Sequence, residues 1–169
     1  MIRDEPPRNA PERTSLEGWL TYQRQTLAMK CEGLNSQQLC ERSVPPSSMS
    51  LIGLVRHMAE VERHWFQRFI GGADKTTAGP IYYSEGNPDG DFDDIDSGAV
   101  ADDLALWRSE CDRADEIFAG RDLDETRPSD RDDRVISVRW VMIHMIEEYA
   151  RHNGHADFLR ERIDGATGD

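Results

Sequence analysis

An all-α fold, a four-helix bundle, is predicted by three features of the sequence. Four stretches carry apolar residues at helical spacing, polar loops separate them, and no alternating strand pattern of useful length occurs. The 169 residues fit one domain, long enough to bury a core without disulfide or metal staples. No internal repeat is visible.

The opening MIRDEPPRNAPER has no apolar stretch and reads as a disordered leader, residues 1–13, ahead of a bundle over 14–165. The first helix is expected from Thr14, where Thr14 and Glu17 have capping-box spacing, with Leu16, Trp19, Leu20, Gln23, Leu27 and Cys31 following and Gly33 as the stop. A short turn is expected at Ser36 to Cys40. The second helix follows Pro45-Pro46, with Ser48 or Ser50 as cap, and runs to Ile70 before Gly71-Gly72. Its apolar face includes Leu51, Leu54, Met58, Val61, Trp65 and Phe69. Residues 72–97, with the acidic run Asp89 to Asp96, read as a long loop, either a solvated excursion or a mobile cover for a pocket. The third helix spans about Ala99 to Ala119, striped by Leu104, Trp107, Cys111 and Ala114. A polar loop from Arg127 to Arg134 leads to the last helix, from Ser137 to Ile163, ended by Gly165.

Charge narrows the partners. Lys and Arg number 20 against 33 Asp and Glu, a net charge of −13, which argues against nucleic acid and anionic membrane surfaces. No apolar run approaches the ~20 residues of a membrane span. Three cysteines, Cys31, Cys40 and Cys111, form no CxxC pair and predict no disulfide framework. A cytoplasmic protein is the expectation.

The chemistry concentrates on the last helix. Val141, Met145, Tyr149, Ala156, Leu159 and Ile163 fall on one stripe, His152 is expected in its middle, and Glu148 sits one turn earlier. A buried carboxylate needs compensation, from a polar network or from a metal. The i, i+4 spacing puts both side chains on one face. His57, at the edge of the second helix's apolar face, is placed to point across. Two imidazoles and one carboxylate leave coordination positions open; zinc suits the set, and nickel or iron(II) also accept it. His64, His144 and His155 flank these positions. The HExxH and paired Glu-x-x-His motifs are absent, so a zincin-type protease and a dinuclear ferritin-like site are set aside.

Two segments carry a family resemblance. Ser50-Leu-Ile-Gly-Leu-Val-Arg-His57-Met-Ala-Glu-Val-Glu-Arg-His-Trp65 resembles the second helix of DinB-like proteins. Trp140 to Gly165, with Glu147-Glu148-Tyr149-Ala150-Arg151-His152-Asn153-Gly154-His155, resembles their last helix. The likeness is to the DUF664 branch of the superfamily that includes mycothiol-dependent maleylpyruvate isomerase. It implies an up-and-down bundle, often a homodimer, with a metal held by His57, Glu148 and His152. It also implies a transferase or isomerase that takes mycothiol or another small thiol and an electrophile. Many relatives have His-Arg-Gly-Gln where this chain has His152-Asn153-Gly154-His155. A non-catalytic metal-binding bundle is the alternative.

Overall fold

The computed structural model describes residues 3–129 and 132–168. They are mostly helical. Helix α1 spans Glu12–Cys31, α2 Ser36–Leu39, α3 Leu51–Glu62, α4 Gly90–Asp93, α5 Val100–Ala119 and α6 Val138–Asp164. Helix α3 continues without a break into a π-helical segment, Arg63–Ile70. A two-stranded antiparallel hairpin, β1 (Thr126–Pro128) and β2 (Val135–Ser137), pairs Arg127 with Ile136. This architecture is consistent with the all-α expectation; the hairpin is a small addition to it, in strands below the length at which alternation shows in a sequence.

Helix α1 packs chiefly against α6, and α3 chiefly against α5, with α3 also meeting α6. The core lies between them. Leu27, Leu51, Leu54, Met58, Met145 and Tyr149 are fully buried, each contributing on the order of 1.5–3 kcal/mol. No helix among the described residues is long and apolar enough to cross a membrane.

The helix ends follow local chemistry, with one exception. Ser50 Oγ accepts the Gly53 N–H at 3.1 Å, and Ser137 Oγ accepts the Trp140 N–H at 3.1 Å. Gly165 closes α6 in the left-handed conformation at φ 77°. Helix α1, however, starts at Glu12 with Pro11 at its N-cap and no side-chain cap, so Thr14 lies inside it. The reciprocal capping box forms at α2 instead, between Asn35 and Gln38. Ahead of α1, Arg3 donates to Thr26 Oγ1 at 3.0 Å, and the Asp4 N–H donates to Gln25 Oε1 at 2.7 Å.

The segment from 72 to 97 is not a free excursion. Glu60 Oε2 accepts the Ile81 and Tyr82 N–H groups at 2.8 and 2.9 Å. Arg56 donates to the carbonyls of Asp91 and Gly90 and lies 3.9 Å from the Tyr82 ring centre. Two charged residues of α3 thus fasten the segment, and α4 within it, against the helix. Gly53 makes room: a Cβ there would lie 2.9 Å from Phe92 of α4.

Candidate metal centre

The π segment and α6 face each other across a cleft of about 720 Å³, and the fastened segment forms its third wall. His57 and Val61 reach it from α3, His144, Glu148 and His152 from α6, and Pro80, Tyr83 and Asp91 from the segment between. The three residues expected to converge do so. One ligating atom from each of His57, Glu148 and His152 lies within 4.8 Å of the others. The His57 and His152 ring centres are 4.7 Å apart. His152 Nε2 is 3.5 Å from Glu148 Oε2. That 3.5 Å separation falls within the ~3 to 4 Å between atoms that share an ion at bonds of about 2.0–2.2 Å.

Both imidazoles are oriented from behind. His57 Nδ1 lies 2.8 Å from Asp91 Oδ2, which leaves Nε2 for a ligand, and the ring stacks on Phe92 at 5.4 Å. His152 Nδ1 lies 3.3 Å from His155 Nδ1, and its Nε2 faces Glu148. A carboxylate behind a histidine is the usual second layer of a metal site, fixing tautomer and ring angle. Burial, then the proximity of His57 and His155, pushes the His152 pKa down to about 4. The ring is therefore neutral near pH 7, the form that coordinates metal.

Asp91 was not legible as a site residue. It sits in an acidic run that reads as solvated loop, and it is 34 residues from His57. His152 also departs from its expected place. The buried centre of the α6 stripe is Asn153, bonded through Nδ2 to Gln23, while His152 and Glu148 occupy the flank facing the cleft. Tyr149 and Asn153 are one i, i+4 step apart, so position 152 falls beside their line.

A family model described as mycothiol-S-transferase matches residues 15–165. The chain belongs to that family. Comparison with curated proteins and with solved structures gives no match. The family resemblance of the two motif helices therefore holds over nearly the whole chain.

The remaining histidines separate by position. His155 supports His152 from behind and does not line the cleft. His64 and His144 do line it. His144 stacks on Trp140 at 4.8 Å and lies 3.5 Å from Glu148 Oε1. With Glu147 and Glu148 it makes a second trio of ligating atoms within 4.8 Å, but Glu147 is exposed and ion-paired with Arg151. The first trio is the better fit: it has two supported imidazoles, one carboxylate and open space in front.

No cysteine stands in the cleft lining. Burial pushes the Cys31 thiol up to about 12, against a smaller opposing pull from Arg160 and Arg108. Burial, then Glu62, raises Cys111 as well. Both stay protonated and unreactive near neutral pH.

Proposed function

We propose that this chain is a metal-dependent transferase or isomerase that uses a low-molecular-weight thiol such as mycothiol. One divalent ion, zinc in the first instance with nickel or iron(II) as alternatives, is held by His57, Glu148 and His152. The observation that supports this most is the convergence of those three side chains on a cleft wide enough for a second substrate. The family supplies the thiol.

Bound there, a divalent ion supplies positive charge that keeps a coordinating thiol deprotonated near neutral pH. The chain's own residues prepare the site. Asp91 holds His57 by Nδ1, His155 holds His152 by Nδ1, and burial keeps His152 unprotonated. Protein nucleophiles are not needed, because the thiol is the nucleophile. His144 and His64 line the same cleft and are the proton-donor candidates. The four long helices form the up-and-down bundle of the family over residues 14–165, in a cytoplasmic protein that associates as a homodimer.

The test measures metal content and thiol consumption together. Wild-type protein retains about one zinc per chain and consumes mycothiol with a model electrophile; His152→Ala and His57→Ala retain neither metal nor rate while keeping their helical spectrum. Metal without thiol-dependent turnover leaves the non-catalytic reading. Equal metal in the wild type and both variants rules out the site itself.

A further inference from the structure

The cleft does not end at the candidate metal centre. It runs into a second hollow of about 320 Å³ walled by Arg68, Phe69, Lys75, Arg127 and Pro128. His64, Arg68 and Lys75 line both spaces, so the two are continuous. Three cations from three parts of the chain meet there: Arg68 from the π segment, Lys75 from the segment after it, and Arg127 from β1. Asp74 is the acid in the lining, and its Oδ1 is occupied by the Thr76 and Thr77 N–H groups and the Thr76 hydroxyl.

This grouping is out of character for the molecule. Acids outnumber bases 33 to 20, and several arginines elsewhere pair with carboxylates. Arg24 has Glu62 at 2.8 Å, Arg56 has Asp103 at 3.3 Å, and Arg139 has Glu12 at 2.7 Å. Among the described residues, the side chains of Arg68 and Lys75 make no ion pair or hydrogen bond. Arg127 reaches Glu125 only at 3.6 Å, and its Nε is buried with no partner. Arg68 and Lys75 are thus without a charge partner among the described residues, and Arg127 has only a long one. The fork of a guanidinium matches the planar geometry of a carboxylate.

We propose that this hollow is a carboxylate-binding subsite, and that the second substrate is an extended electrophile carrying a carboxylate. Its acid end sits on Arg68 and Arg127 with Lys75 at the rim, and its reacting end lies toward His57, Glu148 and His152. Arg68 is on the order of 15 Å along the helix from His57, at ~1.5 Å per residue. The acid is therefore remote from the reacting atom. The identity of the ligand as an electrophile rests on the thiol-transfer reading; the binding of an acid does not.

The experiment is an equilibrium titration on zinc-free protein, so that no ion competes for the acid. The probes are dansyl-6-aminohexanoate and its carboxamide, which differ only in charge, followed by dansyl fluorescence. The acid binds the wild type at least ~tenfold more tightly than the amide, and the difference shrinks as salt is added. In Arg68→Gln/Arg127→Gln the two probes bind within about twofold of each other, the remaining preference being the rim charge of Lys75. Lys75→Gln, at an exposed position, lowers the preference by a smaller factor and serves if the double variant fails to fold. Equal affinities for the two probes in the wild type, or a preference that survives both variants, overturns the subsite. Since no turnover is measured, a protein that transfers no thiol can still pass, and an active transferase can fail.

Discussion

Glu62 and Glu148 are carboxylates on facing helices with opposite surroundings. Glu62 is fully buried and accepts bonds from Arg24 Nε and Nη2 and from the Tyr149 hydroxyl, each at 2.8 Å. Trp107 donates to Tyr149 at 2.9 Å, and Arg24 also reaches Asp115. Burial, then Cys111 and Glu62, raises the Tyr149 pKa well above its ordinary value, so it remains a donor. Glu148 is partly exposed and has two histidines at 3.5 Å, one on each oxygen. A closed network of matched donors and acceptors is a structural joint. A carboxylate beside imidazoles, opening on a cleft, is a place for a ligand. The residues concerned are neighbours: Glu148 and Tyr149 are adjacent on α6, and a turn of about 100° sends one to the cleft and the other to the joint.

If that contrast is right, damage to the two clusters has different consequences. The largest effect belongs to the joint. Arg24→Ala leaves Glu62 buried without its cation and costs about 3–5 kcal/mol in chemical denaturation, while metal content per folded chain stays at the wild-type level. A loss below about 1 kcal/mol would erase the distinction between the clusters, since exposed pairs are worth that little.

A smaller effect belongs to the support of the site. Asp91→Ala removes the acceptor behind His57 and lowers zinc affinity about 10- to 100-fold in a competition titration, with metal-free stability little changed. Unchanged affinity would mean that the Asp91 contact merely fastens α4.

The smallest effect is a pH dependence. In metal-free protein, burial and neighbouring histidines hold the His152 pKa at about 4, against 6.5 in the unfolded chain. Between those values the unfolded chain binds the proton and the folded chain does not. This contribution to stability is therefore lost as pH falls from about 6.5 toward 4. Comparing denaturation midpoints of wild type and His152→Gln across that window isolates it. Parallel curves would show that His152 is not held neutral by the fold.

Much of this was readable beforehand because it is local. Four long helical segments, the cap at Ser50 (offered beside Ser48), the start near Ser137 and the stop at Gly165 each depend on residues a turn or less apart. The His57, Glu148 and His152 trio was also readable, though with help from the family resemblance. The capping-box spacing of Thr14 and Glu17 misled, because the chain already enters α1 at Glu12 behind Pro11.

The sequence by itself determined the helical periods, the acidic balance and the pairing of a carboxylate with an imidazole one turn apart, since each follows from nearest-neighbour spacing. The tertiary structure decided the rest. It turned a stretch of acidic loop into a wall that brings Asp91 to His57, and it put Asn153 rather than His152 at the centre of the α6 stripe. It also gathered Arg68, Lys75 and Arg127 from a π segment, a loop and a strand. The physical reason is the same in each case: hydrogen bonds and charges act over a few ångströms in space, whatever the separation along the chain. Only the packing of α1 on α6 and α3 on α5, with the intervening segment fastened by Arg56 and Glu60, sets which distant groups come that close.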